Sequence, residues 1–236
     1  MLMLGMDTSA VAASVALWED GRLLGENFVN VKLTHSQTIL PMVQNLLDSC
    51  DRKISQVETF AVSAGPGSFT GLRIGISAVK GMAFASNNPC IPVSTLEALA
   101  YQLSGQECIA IPAMDARCQQ VYTAAFRVGR DGVQRLSEDA AMSISQLQAK
   151  IQEFSDGLPR ILVGDGAQLC YNCWEGSDVL LAPEHLRFQR AGAVCMAALH
   201  HLSEAVSPAD LAPRYLRLPQ AQRELLKKQE SNRVLS

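Results

Sequence analysis

A chain of 236 residues with 48% hydrophobic content can bury a core of its own, as one large domain or two of about 100 residues each. Its 20 Lys and Arg against 23 Asp and Glu leave a net charge of −3, which excludes a general electrostatic affinity for nucleic acid. Gly, Ser or charge interrupts every apolar run well before the ~20 residues a membrane helix requires, so no transmembrane helix is predicted.

Residues 1–7 alternate toward a strand and reach a carboxylate at Asp7 with no basic n-region before it, so the expectation is no signal peptide and a cytoplasmic location. Residues 11–18 form a second predicted strand, and Glu19-Asp20-Gly21 turns the chain into a third over 22–30, an antiparallel meander. Asp7, Thr8 and Ser9 fall in the tight connection after the first strand. There a carboxylate and two hydroxyls either face phosphates or close an Asx-type turn. Thr34-His35-Ser36-Gln37 has capping-box form, and Ile39, Leu40, Val43, Leu46 and Leu47 follow at helical spacing to about residue 48. Pro41 removes one internal hydrogen bond, so this helix should kink there or begin near it. His35 has Ile39, not a second His, four positions on, which leaves no histidine pair for a metal.

The chain is organised around Ala64-Gly-Pro-Gly-Ser-Phe-Thr-Gly-Leu-Arg-Ile-Gly75, which follows an apolar run at 59–63. The reading is strand, tight loop, helix, with Ser68 or Thr70 as N-cap. The free amides of such a helix start favour an anion, but the glycine spacing matches neither common nucleotide-binding pattern. Gly71, Gly75, Ala78, Met82 and Ala85 recur at steps of four and three. They form a stripe of mostly small side chains that another backbone can approach, either the chain's own sheet or a second subunit.

Residues 90–93 are a short strand, and Ser94-Thr-Leu-Glu97 repeats the capping-box logic before a helix to about 103. The polar break Ser104-Gly-Gln-Glu107 places a domain boundary between residues 1–104 and 105–212. Residues 108–114 and 120–128 read as strands flanking Asp115-Ala-Arg117, with Arg130-Asp-Gly132 as a hairpin turn into a strand over 133–136. The second half thus repeats the first: a strand ending in Asp, a polar turn, a strand, an Asp-Gly turn and a strand. Residues 143–154 have helical periodicity, 160–163 form a buried strand, and Gly164-Asp-Gly166 is a close-approach turn before another helix. A last strand over 179–182 and a core helix over 190–202 follow.

The seven cysteines are an odd, scattered set and read as reduced thiols, Cys170-Tyr-Asn-Cys173 among them as packing residues for want of a second ligand pair. Residues 213–236 form a basic tail in which Arg214, Arg217, Arg223, Lys227, Lys228 and Arg233 stand against only Glu224 and Glu230. It is either a solvated terminal helix or a docking strip for RNA or an acidic partner.

Read together, Met6-Asp-Thr-Ser9, His35-Ser-Gln37 with Leu40-Pro41, Gly65 to Gly75, Ser94-Thr-Leu-Glu97, Asp115-Ala-Arg117 with Val121-Tyr122, and Pro213-Arg-Tyr-Leu-Arg217 resemble the TsaB (YeaZ) family over positions 1 to about 217. The resemblance implies an α/β, two-lobed ASKHA fold of the actin, sugar kinase and Hsp70 type, each lobe a mixed sheet with flanking helices. It implies a non-catalytic subunit, homodimeric when isolated, that heterodimerises with a catalytic TsaD-like subunit and works with a TsaE-like ATPase. That complex adds threonylcarbamoyl to N6 of adenosine 37 in tRNAs reading codons that begin with A. On this reading no cofactor is bound firmly by this chain, ATP and metal being used by its partners, and tRNA is met through the complex.

The His-x-x-x-His metal pair of the catalytic relative is missing here, which argues against autonomous catalysis. The partner or dimer interface is then expected at Gly71, Gly75, Ala78, Met82, Ala85 and His35. A vestigial nucleotide site is expected at Asp7, Thr8, Ser9, Asp115, Gly164 and Gly166. Two departures from the family pattern, Cys118 and the residues beyond Arg217, affect surface detail only. The rival readings are an ASKHA-fold ATPase or kinase and a glycoprotease-like peptidase, the latter needing a partnered catalytic His that the sequence does not supply.

Overall fold

The computed structural model describes residues 1–154, 157–174 and 178–217. The first lobe opens with β1 (Leu2–Asp7), β2 (Ala13–Glu19) and β3 (Arg22–Val29), joined as an antiparallel meander. It continues through α1 (His35–Ser49), β4 (Thr59–Gly65), α2 (Phe69–Phe84) and β5 (Cys90–Ser94), giving a sheet of order β3-β2-β1-β4-β5 whose last three strands are parallel. β1 is buried along its whole length, and its side chains alternate between two cores. Leu4 and Met6 face α1 and α2 with Val15, Leu17, Phe60 and Val62, whereas Met3 turns to the other face with Ala16, Ala61 and Ile91.

After α3 (Thr95–Tyr101) the second lobe is built from β6 (Cys108–Asp115), β7 (Gln120–Thr123), β8 (Phe126–Gly129), β9 (Gly132–Arg135) and β10 (Ala140–Ser143). α4 (Ile144–Lys150), β11 (Arg160–Val163), α5 (Ala167–Cys173), β12 (Val179–Leu181) and the short α6 (Glu184–Arg187) complete it. The path β10-β7-β6-β11-β12 reproduces the strand order of the first sheet, again with three parallel strands on one side. The repeat predicted from the sequence is therefore real, but its third strand is β10, which the sequence reading missed. Residues 120–128 are two strands, not one: the chain breaks at Ala124-Ala125, so β7 pairs with the Ala113–Asp115 end of β6 and β8 with its Cys108–Ala110 end. The β8–β9 hairpin is an addition to the repeat.

α7 (Ala191–Ala198) is buried on nearly every side and returns to the first lobe, where it packs among Met3, Ala61, Ile91 and α3's Ala98 and Tyr101. Gly5 makes this approach possible, since a Cβ there would sit 2.4 Å from Cys195 Sγ and 2.7 Å from the Ala191 carbonyl oxygen. Glu26 anchors the helix start, one carboxylate oxygen accepting from the Gly192 amide at 2.8 Å and the other from Arg190 Nη1 at 2.9 Å. Residues 191–211, expected with the second lobe, thus lie on the first: Val206 bridges to Cys90 and Leu211 enters the first core. The opposite face of α3 supplies Leu96, Leu99 and Ala100 to the second sheet, so α3 is the layer shared by both lobes.

Local signals held where a side chain completes a cap. Ser68, Ser94 and Ser143 each accept from the amide three residues on. Thr34 makes no side-chain cap, and α1 runs continuously through Pro41. The helix predicted over 143–154 ends at Lys150 and tightens into a single 3-10 turn. All seven cysteines are free thiols. Of the basic tail, residues 218–236 lie outside the described residues.

Candidate functional site

The carboxyl ends of β1, β6 and β11 converge on a cleft of about 520 Å³, lined by Ser9, Asp115, Arg117, Tyr122, Asp165 and Arg214 among others. Asp7 lies beneath it, and its carboxylate is already occupied. Oδ1 accepts from the Ser9 amide at 2.8 Å and the Ser9 hydroxyl at 2.7 Å, and Oδ2 accepts from the Ser63 hydroxyl. Burial pushes its pKa up, against the pull of those three donors.

Thr8 donates its hydroxyl to the Gly71 carbonyl at 2.8 Å, and the Ser68 amide donates to the Ser9 carbonyl at 2.7 Å. A Cβ at Gly71 would stand 2.1 Å from the Thr8 carbonyl oxygen, one at Gly75 2.3 Å from Thr8 Oγ1, and one at Gly67 2.5 Å from the Ser9 carbonyl oxygen. The glycines of the central motif therefore let α2 settle directly on the β1–β2 loop, and the polar groups of that loop are spent within the chain.

The second lobe repeats the arrangement. The Arg117 amide donates to Asp115 Oδ1 at 2.7 Å, and Arg117, Cys118 and Gln119 all hold positive φ, a left-handed run costly for residues with a Cβ. Gly164, at φ +110°, and Gly166 pack against the end of β6, where Cβ atoms would meet the Ala113 carbonyl oxygen at 2.4 Å and the Asp115 amide at 2.8 Å. Asp165 between them accepts from Gln189 Nε2 at 3.0 Å. Burial raises its pKa to about 6, and the negative charges of Asp115 and Asp7 add to the shift. Among the described residues no cluster of His, Cys, Asp or Glu is arranged to hold a metal ion.

Residues 214–217 cross the mouth of this cleft as a strap. On the first lobe the Arg214 amide donates to the Ala64 carbonyl at 2.7 Å. Tyr215 stacks on Phe69 with centroids 4.8 Å apart, and Arg73 lies 4.0 Å over that same ring while its Nε donates to the Tyr215 hydroxyl at 2.9 Å. On the second lobe Arg217 donates to the Ala116 carbonyl at 3.4 Å and to Gln120 Oε1, beside the Tyr122 ring.

Outside the cleft an open groove of about 610 Å³ runs between α1 and α2, lined by Ser36, Ile39, Leu40, Phe69, Arg73, Ile74 and Ala78 among others. Leu40 is half exposed there.

The family model described as TsaD, tRNA N6-adenosine threonylcarbamoyltransferase, matches residues 29–225. The tRNA threonylcarbamoyladenosine biosynthesis protein TsaB of Escherichia coli is 31% identical over 223 residues, 92% of this chain and 95% of that protein. This chain belongs to the TsaB family. The structure of YeaZ from Pseudomonas aeruginosa superimposes with a TM-score of 0.79 at 29% identity, over 91% of this chain and 99% of that one. The threonylcarbamoyltransferase of Solidesulfovibrio magneticus, at 30% identity, aligns with only 48% of this chain and 35% of its own length. The full-length likeness is thus to TsaB proteins, and the two repeated sheets are the two-lobed ASKHA architecture.

In this TsaB-family chain the residues expected at an interface do not share one open face. Gly71 and Gly75 are covered by Thr8, and Met82 is half-buried against the first core. Ala85 is exposed beyond the helix end, and Ala78 alone of the stripe lines the groove. His35 stands at the start of α1 with Nε2 donating to the Ala10 carbonyl at 2.7 Å, a tie to the β1–β2 loop. The residues that the sequence reading missed are Phe69, Arg73 and Ile74 in the groove and Tyr215 in the strap. Leu40, which the helical spacing groups with Ile39, Val43, Leu46 and Leu47, stays off the buried face of α1, where Met42 joins those four instead. A helical wheel centred on Ile39, Val43 and Leu46 would have set Leu40 off that face.

Proposed function

We propose that this chain is a non-catalytic docking subunit in the synthesis of threonylcarbamoyladenosine in tRNA. It heterodimerises with a catalytic TsaD-like subunit, which transfers threonylcarbamoyl to N6 of adenosine 37, and works beside a TsaE-like ATPase. The observation that carries this reading is the contrast between the two concave surfaces. Around the cleft the carboxylate of Asp7, the hydroxyl of Thr8 and the close-packed glycines are committed to intrachain contacts, and the α1–α2 groove leaves Leu40 and its apolar neighbours open to a partner. Two helices that share an exposed apolar seam suit a helical counterpart, or a second copy of the chain when the partner is absent.

The test is reconstitution. The purified chain should modify no tRNA alone and should restore modification when added to the catalytic subunit, the ATPase and threonylcarbamoyl-adenylate; modification by the chain alone would sink the proposal.

The open cleft, with Asp115 and Asp165 on its wall, is the observation that favours an ATPase or kinase instead. Calorimetry with ATP and magnesium separates the two. Weak or absent binding is expected, because the loops nearest the cleft give their amides to Asp7, Asp115 and neighbouring carbonyls and have few left for phosphate.

A further inference from the structure

Phe69 lines both the interlobe cleft and the α1–α2 groove, and it is held there by a residue of the strap. The contacts form a continuous path. Arg217 grips the β6–β7 turn of the second lobe through Ala116 and Gln120, the single residue Leu216 leads to Tyr215, and Tyr215 clamps Phe69 and Arg73 on the first lobe. Gly65, at φ +131°, lets the strap seat, since a Cβ there would lie 2.3 Å from the Arg214 carbonyl oxygen.

We propose that the strap of residues 214–217 couples the α1–α2 groove to the angle between the lobes, so that a partner in the groove stabilises the strapped form of the cleft. The inference rests on the docking role given above for the groove.

The two states are the strap seated and the strap released. When seated, Tyr215 fixes the Phe69 ring by stacking and fixes the Arg73 guanidinium through its hydroxyl, so the groove presents a rigid aromatic and a rigid cation side by side. When released, both side chains recover their rotamer freedom, and a partner must order them again at an entropic cost. A partner that contacts Phe69 and Arg73 in the seated geometry therefore prefers that state. By thermodynamic reciprocity its binding must also tighten the hold of Arg217 on the second lobe. Arg217 touches nothing in the groove, which makes it the discriminating position.

The experiment measures affinity of the full chain for the catalytic TsaD-like subunit, together with hydrogen exchange at residues 116–120 with and without that subunit. Arg217→Ala should weaken association by about fivefold or more, the usual lower range of a coupling between sites. Partner binding should slow exchange at 116–120 in the wild type but not in the variant. Gln120→Ala, which removes the acceptor from the second-lobe side, is the parallel test should Arg217→Ala lower the melting temperature. Unchanged affinity in either folded variant, or exchange at 116–120 that ignores the partner, overturns the coupling. A wild-type chain that binds no catalytic subunit overturns the docking reading and this inference with it.

Discussion

Gly71 and Gly81 sit on the same helix, and alanine should move the protein in opposite directions at the two sites. At Gly81 nothing lies within 4 Å of the added Cβ and φ is unexceptional, so Gly81→Ala gains only helix propensity and reduced unfolded-state freedom, about 0.5–1 kcal/mol. At Gly71 the same gain is opposed by a Cβ placed 2.1 Å from the Thr8 carbonyl oxygen, a backbone atom that cannot rotate aside. Overpacking costs about 1–3 kcal/mol, and a rigid neighbour puts this site at the upper end, for a net loss of about 2 kcal/mol. For a chain of this size each kcal/mol moves the melting temperature by about 2–4 °C. Circular dichroism melting should therefore show Gly71→Ala lower by about 4–8 °C and Gly81→Ala higher by about 1–4 °C. A Gly71→Ala protein that melts at or above wild type, yet loses association with its partner, would refute the packing argument and restore the glycine stripe as a docking surface.

Leu40→Asp should leave the melting transition within about 0.5 kcal/mol of wild type because the side chain is half exposed, and should weaken partner or self-association by roughly 2 kcal/mol or more in sedimentation. His201 places Nε2 2.9 Å from Glu97 and Nδ1 2.7 Å from Glu204, contacts that hold its pKa above the ordinary value against the opposing effect of burial. A raised folded-state pKa contributes stability that is complete below the unfolded value of about 6.5 and is lost as pH rises through the folded one. Chemical denaturation of wild type against His201→Gln should show the stability gap shrinking as pH rises from about 6; a constant gap would contradict the assignment. Asp165, with its pKa raised from 3.8 to about 6, carries the opposite charge and destabilises the fold once ionised. Asp165→Asn keeps the acceptor for Gln189 and should abolish the loss of stability that chemical denaturation of the wild type shows between about pH 4 and pH 6.

Strand alternation, the Asp-Gly turns and the serine caps at 68 and 94 were legible in the amino-acid order because each depends on residues within a few positions of one another. The internal repeat was legible for the same reason, apart from β10, whose short Ala-Ala-Met-Ser run has little strand signal of its own. The facing of α2 was not legible. A stripe of Gly and Ala states only that some backbone comes close, and the distance from Gly71 to Thr8 had to be closed by the fold before the backbone could be named. The strap was equally hidden, since Arg73 and Tyr215 are separated by 142 positions and Arg217 and Gln120 by 97. The return of α7 to the first sheet belongs with it. The sequence by itself determined which segments could be strands, turns and helices and which family they compose. Tertiary structure decided which glycines are core, which leucine is surface and what spans the cleft, because those depend on contacts between segments that local physics leaves free.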